Sequence, residues 1–144
     1  MQYKLCLMLW AVEVTDQFEI WWDALAVEQQ DVVEARVQQL AQLGPNLGRP
    51  AVDRLSSSRH HNMKELRSDR NGSCIRILFA FDPRRTAILL IGGDKADSSG
   101  PRWNDWYLSF VGLADDLYDE HLREIQFNPV ILTEKGNDDG KEIF

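Results

Sequence analysis

Two short segments of the chain place charged side chains where the alternation of a β-strand would bring them together. Glu65 and Arg67 are separated by one leucine, and Arg76 lies between two isoleucines. Because strand side chains alternate between faces, all three charged groups would share one face if their apolar neighbours face the core. Asn71-Gly72 lies between the segments, and both of its residues tolerate positive φ, which favours a tight hairpin. The hairpin would set Arg76 beside Glu65 and Arg67.

Further polar side chains are expected near this face. Lys95 follows the next apolar run and can reach the same edge, while His60 and His61 come just before the first strand. A carboxylate, two guanidiniums, an ammonium group and imidazoles on one open face suit the cleavage of an RNA phosphodiester. In that reaction the ribose 2′-OH attacks the phosphate, so a base takes its proton and an acid protonates the leaving 5′-oxygen. Arginines stabilise the negative charge of the phosphorane-like transition state.

These residue types alone leave more than one candidate for each catalytic role. Glu65, His60 and His61 are each candidates for the base. Metal-ligand spacing is absent from the sequence, so we expect a reaction without a metal ion or other cofactor. The alternative interpretations are a surface ion pair between Glu65 and Arg67, and solvated histidines in a polar loop.

The apolar pattern predicts which elements position these residues. Apolar residues recur at three- and four-residue spacing in three stretches, which indicates helices, whereas stretches rich in β-formers indicate strands. The predicted order is a strand at 9–14, helices at 16–26 and 27–43, strands at 62–68, 74–81 and 86–91, and a helix at 103–124. Residues 46–58 have the composition of a loop. This order predicts an α+β fold with three consecutive strands in an antiparallel sheet and the first strand added at an edge or in the centre.

The length and the charge distribution limit the possible functions. A chain of 144 residues is long enough for one domain, and its 44% hydrophobic and 27% charged residues are typical of a globular protein. The net charge of −7 argues at first sight against nucleic-acid binding. However, residues 49–102 carry 11 basic and 6 acidic side chains between two acidic flanks. We therefore expect one basic surface suited to an anion.

The sequence also bears on the compartment of the chain. Cys6 and Cys74 are too few and too far apart for a disulfide framework or a zinc site, which favours a reducing cytoplasm. The longest apolar stretches are shorter than the roughly 20 residues of a membrane helix. Glu13 interrupts the first of them and no small-residue cleavage site follows. We therefore expect neither a signal peptide nor membrane association.

Five motifs, taken in order, resemble one known family. They are Lys64-Glu65-Leu66-Arg67, Cys74-Ile75-Arg76-Ile77-Leu78-Phe79-Ala80-Phe81, Ile88-Leu89-Leu90-Ile91-Gly92-Gly93-Asp94-Lys95, Trp103-Asn104-Asp105-Trp106-Tyr107 and Ala114-Asp115-Asp116-Leu117-Tyr118. Over about residues 9–125 the chain is similar to the RelE/HigB superfamily of toxins. The similarity is greatest to the HigB, or Gp49-like, branch of bacterial type II toxin–antitoxin systems.

The resemblance implies a fold, an activity and partners. The fold would be the RelE-like, microbial-ribonuclease-type α+β fold, with an N-terminal strand, a two-helix hairpin on one side of an antiparallel sheet, and a C-terminal helix. It would occupy residues 1–125. The residues that follow, with Asn128-Pro129 and Asn137-Asp138-Asp139-Gly140, separately predict an acidic, flexible tail at 126–144. The activity would be metal-independent cleavage of mRNA in the ribosomal A site, in the cytoplasm. The expected partners are the ribosome, mRNA and a cognate antitoxin, a HigA-like helix-turn-helix protein.

The resemblance places Glu65, Arg67, Arg76 and Lys95 at the active site of the family, and the residue types of the chain predict the following roles. Arg67 and Arg76 would bind the scissile phosphate. Glu65 or His61 would act as the base, and Lys95 would assist the phosphate or the leaving group. Further RNA contacts are expected from a second set, namely Lys64, Arg70, His60, Trp103 and Tyr107. The aromatic members of this set are otherwise interpreted as core or rim residues.

Two other functions are compatible with the sequence. A related toxin of the ParE type would inhibit gyrase by contact, and it would cause DNA damage without message cleavage. A catalytically silent relative would keep the fold and bind a regulator only, without arresting growth.

Overall fold

The chain folds into a five-stranded sheet with helices on both faces. The computed structural model describes residues 9–70, 72–95 and 101–127, without the side chains of residues 101–106 and 127. The elements are β1 (Val12–Val14), α1 (Asp16–Asp23), α2 (Val27–Leu43), a 3₁₀ turn (Gly44–Asn46), β2 (Val52–Arg54), β3 (Lys64–Arg70), β4 (Ser73–Phe81), β5 (Ala87–Asp94) and α3 (Pro101–Phe127). The strand order is β1-β5-β4-β3-β2. Since β1 runs parallel to β5 and the other neighbours are antiparallel, the sheet is mixed.

The helical hairpin formed by α1 and α2 covers one face of the sheet. Thr15 caps α1, because its hydroxyl oxygen accepts a hydrogen bond from the backbone N–H of Phe18 at 3.0 Å. The same hydroxyl donates to the carbonyl of Leu90 in β5 at 2.6 Å, which fixes the start of the helix to the sheet. The core on this face contains Phe18, Val33, Val37, Leu40, Leu66, Ile75, Ile77, Phe79 and Leu89.

Helix α3 covers the opposite face. Val111, Ala114 and Tyr118 pack there against Leu78 and Leu90. Both faces of β4 and β5 are therefore buried, which explains why these strands are apolar on both sides. Within the described part of the chain, no helix has the length and apolarity needed to span a membrane.

A buried ionic network joins α3 to the end of β4. Asp82 has no exposed side-chain surface, and its Oδ2 accepts hydrogen bonds from Nε2 of His121 and Nη2 of Arg84, each at 2.8 Å. Its Oδ1 accepts the backbone N–H groups of Arg84 and Thr86. Arg84 also donates to Glu13 of β1 at 2.8 Å. One carboxylate thus links the last helix, the β4–β5 turn and the first strand.

The structure corrects several predicted boundaries. Residues 46–58, expected to be a loop, contain β2, whose three residues pair with β3. β5 continues three residues further than predicted, because both of its glycines pair with β4. The first strand is shorter than expected and lies at an edge. Residues 126 and 127 complete α3, and residues 128–144 of the predicted tail lie outside the described residues, as does Asn71 of the predicted turn.

Gly92 lies directly against an aromatic ring of α1. A Cβ atom at this position would come within 2.3 Å of ring carbons of Trp21. We therefore expect Gly92→Ala to lower the free energy of unfolding by about 1–3 kcal/mol, as overpacking does in other cores. Urea denaturation measures this change.

Gly112→Ala is the matched control for Gly92→Ala. Nothing lies within 4 Å of a Cβ atom added at Gly112, in the middle of α3. Alanine should therefore raise the stability of the helix by about 0.5–1 kcal/mol. A Gly92→Ala protein as stable as the Gly112→Ala protein would contradict the packing described for Trp21.

Candidate active site

The register of β3 and β4 brings three predicted site residues together. Arg67 is the direct partner of Arg76, and Glu65 is the partner of Leu78. Leu78 belongs to the core beneath α3, so Glu65, Arg67 and Arg76 lie on the face that α3 covers. We call these three residues together with Tyr107 the Glu65 cluster.

Glu65 is the centre of the cluster. Its Oε2 accepts a hydrogen bond from Nε of Arg67 at 2.8 Å, and its Oε1 accepts one from the hydroxyl of Tyr107 at 2.6 Å. Oε1 also lies 3.9 Å from Nε of Arg76. Only 3% of Glu65 is exposed, so the open face expected from the sequence is wrong: α3 covers it in part through Tyr107. A buried carboxylate needs such partners because they replace its lost hydration.

Arg67 is the more exposed arginine of the cluster. Its side chain keeps 37% of its surface, and Nη2 lies 3.4 Å from Oδ2 of Asp53 on β2. The hydrogen bond to Glu65 raises the pKa of Arg67 further, so it is always charged. Its backbone is held on both sides, because its N–H donates to the carbonyl of Ala51 and its carbonyl accepts from Nε of Arg36. These backbone contacts hold the strand that carries Arg67, while Asp53 and Glu65 orient its guanidinium.

Arg76 is almost completely buried, with 8% of its side chain exposed. Nη1 donates to Oδ1 of Asp69 at 2.6 Å and to the carbonyl of Ile75 at 2.9 Å. The hydrogen bond from Arg76 holds the pKa of Asp69 below its usual value. Across the sheet Arg76 pairs with Gly93, which presents no side chain to the guanidinium. This arrangement holds a planar cation at a fixed place beside the Glu65 carboxylate.

The electrostatics of the cluster favour a neutral Tyr107. Burial, followed by the hydrogen bond to Glu65, raises the pKa of Tyr107 well above its ordinary value. Tyr107 therefore keeps its proton and acts as a hydrogen-bond donor at neutral pH. The arrangement offers a carboxylate to accept a proton, two guanidiniums to bind a phosphate and one hydroxyl donor. In the described residues, no three His, Cys, Asp or Glu side chains are placed to hold a metal ion.

Removing the hydroxyl of Tyr107 should cost stability. Tyr107→Phe keeps the ring but deprives the buried Glu65 of one charge-assisted hydrogen bond, which we expect to cost about 1.5–3 kcal/mol of unfolding free energy. Tyr118→Phe is the control, since among the described residues the Tyr118 hydroxyl accepts from the neutral amide of Asn62 and donates to the carbonyl of Phe81. Its loss should be nearer 0.5–1.5 kcal/mol. Thermal and urea denaturation measure both losses. Equal stability of the two variants would contradict the central role of Glu65.

The predicted histidines lie on a loop that is bound to α3. Nε2 of His60 donates to Oδ1 of Asp119 at 2.7 Å, and its ring packs edge-on against Tyr118. Tyr118 is eleven residues beyond Tyr107, which places it roughly 16 Å further along the helix. His61 is exposed, and its carbonyl accepts from Arg54. The structure therefore does not bring either histidine into the Glu65 cluster.

The remaining predicted RNA-binding residues are dispersed. Lys64 lies on the opposite face of the sheet from Glu65, with Nζ 5.8 Å from the centre of the Phe81 ring. Arg70 is exposed at the hairpin end of β3. Lys95 directly follows β5, next to the end where Gly93 pairs with β4. The side chain of Trp103 lies outside the described residues.

Two carboxylates near the arginines were missed by the sequence analysis. Asp69 lies two residues beyond Arg67, so the same alternation that grouped Arg67 with Glu65 could have found it. Asp53 gave no signal, because β2 was not predicted as a strand. With Glu65 they bring three carboxylates to the two guanidiniums, so each arginine is already ion-paired within the chain.

The chain is similar to known proteins in sequence. It matches the model of the phage-derived Gp49-like family (DUF891) over residues 20–119. Two proteins of Mycobacterium tuberculosis strain H37Rv, both named as candidate toxins, are among its relatives. HigB2 is 42% identical over 118 residues, covering 81% of this chain and 56% of HigB2. HigB3 is 48% identical over 112 residues, covering 78% of this chain and 93% of HigB3. The chain thus spans little more than half the length of HigB2.

The fold is also similar to a solved structure. The crystal structure of the isolated Escherichia coli RelE toxin matches with a TM-score of 0.51 at 7% sequence identity. The match covers 70% of this chain and 98% of the RelE chain. At this identity the likeness concerns the fold alone, and it confirms the RelE-like fold expected from the sequence.

Proposed function

This chain belongs to the Gp49-like family and is a RelE/HigB-type toxin, and from that premise we propose that it inhibits translation by cleaving mRNA in the ribosomal A site. The observation that supports this proposal best is the Glu65 cluster. It brings a carboxylate, which is suited to accept a proton, and two guanidiniums, which are suited to bind phosphate, to one sheet face. We propose an antitoxin of the HigA-like helix-turn-helix type as its partner, and the cytoplasm as its location.

In the proposed reaction Arg67 and Arg76 bind the scissile phosphate. Their planar guanidiniums fit phosphate oxygens and stabilise the charge that develops in the transition state. The fixed position of Arg76 favours this role, because a preorganised donor needs no rearrangement during the reaction. Arg67, at the more exposed edge, holds the phosphate from the other side of Glu65.

Glu65 is the proposed general base. Its carboxylate lies within ion-pair distance of both arginines, so a phosphate bound by them would hold the ribose 2′-OH near it. Glu65 takes the 2′-OH proton, the 2′-oxygen bonds to phosphorus, and the bond to the 5′-oxygen breaks, which leaves a 2′,3′-cyclic phosphate. Tyr107 orients Glu65 through its hydrogen bond. Lys95, beyond the end of β5, is the proposed donor to the leaving 5′-oxygen.

The proposal is tested by inducing the chain alone in a bacterial host and mapping the 5′ ends of message within the first minutes. We expect new ends inside translated codons and an arrest of growth. Growth arrest with intact message and DNA damage would favour a gyrase-directed toxin. Neither arrest nor cleavage would leave a chain that binds a regulator only.

A further inference from the structure

In the free protein, carboxylates of the chain itself contact the two arginines that are proposed to bind phosphate. Asp69 occupies Nη1 of Arg76 at 2.6 Å, and Asp53 lies 3.4 Å from Nη2 of Arg67. A carboxylate oxygen beside a guanidinium nitrogen takes a place that a phosphate oxygen would otherwise take. RNA therefore has to compete with the chain's own side chains for these cations.

The carboxylates around Arg76 differ in how easily an RNA phosphate can displace them from its guanidinium. Glu65 is 3% exposed and is held by Arg67 and Tyr107, so it is fixed. The side chain of Asp69 is 60% exposed, near the hairpin end of β3, so water can replace the hydrogen bonds that its carboxylate accepts from Arg76 and from the thiol of Cys74. Since only 8% of the Arg76 side chain is exposed, a carboxylate at Nη1 covers much of the approach to it. Asp69 is the displaceable competitor.

Because RNA has to displace Asp69 from Arg76, binding depends on the effective concentration of the RNA at the site. A free RNA strand at ordinary concentration competes poorly with a carboxylate on the same chain, whose effective concentration is high. A message already held in place by a larger assembly has a high effective concentration of its own and can displace Asp69. We propose that Asp69 is a specificity-determining residue that restricts cleavage to RNA held in such an assembly. This inference rests on the proposed function, since it concerns the substrate of the same site.

The first measurement is binding of a short single-stranded RNA that carries 2′-O-methyl groups and cannot be cleaved by 2′-OH attack. By fluorescence anisotropy, we expect Asp69→Asn to bind this RNA about tenfold more tightly than the native chain, because a competing negative charge is removed. Asparagine keeps an oxygen for Arg76, so the fold should be retained. This comparison does not depend on catalysis and stays informative if the chain does not cut message.

The second measurement is cleavage of an unmodified RNA without ribosomes. We expect Asp69→Asn to cleave this free RNA at least about tenfold faster than the native chain, in proportion to the tighter binding. Both chains should cut message on translating ribosomes. Unchanged cleavage of free RNA by Asp69→Asn, despite tighter binding, would overturn the assigned role in substrate specificity.

Two further variants show whether the effect acts through Arg76. Asp31→Asn removes the same charge from an exposed position on α2, behind the sheet, and should leave RNA binding unchanged. In the Asp69→Asn/Arg76→Ala double variant the gain should disappear, as expected for coupled neighbours. The inference is overturned if Asp69→Asn binds RNA no better than the native chain, if Asp31→Asn gives the same gain, or if the gain survives the loss of Arg76.

Discussion

Replacing Arg76 with alanine is expected to lower the rate of message cleavage by at least about 10²-fold, because one preorganised transition-state donor is typically worth that much. Arg76 is the buried cation of the Glu65 cluster, and the carbonyl of Ile75 accepts a hydrogen bond that helps to orient its guanidinium beside Glu65. In the proposed reaction, its loss removes one of the two guanidiniums that bind the scissile phosphate. Mapping 5′ ends in a translation reaction supplemented with purified protein measures the effect directly.

Two further variants test whether the loss of cleavage is specific to the guanidinium of Arg76. Arg123→Ala removes an exposed arginine from α3 and should leave cleavage unchanged. Arg76→Lys keeps the charge but not the planar fork, so an intermediate rate is expected. Far-UV circular dichroism and thermal denaturation establish that each variant is folded. A folded Arg76→Ala protein that cleaves message at the native rate would show that Arg76 does not bind the scissile phosphate.

Replacing Asp82 with alanine is expected to be the most destabilising of the single substitutions considered, with a loss of about 3–5 kcal/mol in the free energy of unfolding. The cost arises because His121 and Arg84 lose the buried carboxylate that they share. Urea denaturation at neutral pH measures it. Asp119→Ala is the control, because Asp119 pairs with Arg59 and His60 at the surface, where ion pairs contribute about 0–1 kcal/mol.

The same residue predicts a pH dependence of stability. Burial alone would raise the pKa of Asp82, but hydrogen bonds from His121, Arg84 and the backbone of Thr86 outweigh it and hold the pKa below its usual value. A lowered pKa contributes stability that is complete above the unfolded-state value of about 3.9 and is lost as the pH falls through the folded value. The native chain should therefore lose stability below about pH 4, and Asp82→Ala should lose less. Equal acid sensitivity of the two proteins would contradict this role.

The sequence could predict the grouping of the Glu65 cluster because that grouping depends on local alternation. Glu65, Arg67 and Arg76 were placed on one face from their apolar neighbours alone, and the register of β3 and β4 confirms it. Their burial could not be predicted in the same way. It depends on where α3 docks and on the contact of Tyr107 with Glu65, which are 42 residues apart in the sequence.

The missed features have a common physical cause, since each depends on tertiary pairing. β2 has three residues in a loop-like segment, and only its pairing with β3 makes it a strand. Gly92 and Gly93 look like the end of a strand, yet both pair with β4, and the ring of Trp21 leaves no room for a side chain at Gly92. The position of His60 in the sequence predicts that it lies at the site. However, its hydrogen bond to the carboxylate of Asp119 holds the loop of His60 on α3.

The parallel pairing of β1 with β5 has a consequence for the order in which the molecule can be built during its own synthesis. Val12 pairs with Ala87, so the first strand emerges from the ribosome long before its partner exists. Such distant contacts form late, because the intervening chain has to be ordered first. The Glu65 cluster forms later still, since Tyr107 lies on the last helix. A nascent chain that ends before that helix already contains all five strands, but Glu65 still lacks its hydrogen bond from Tyr107. Under the proposed function, the active site is therefore assembled only once the last helix has been made.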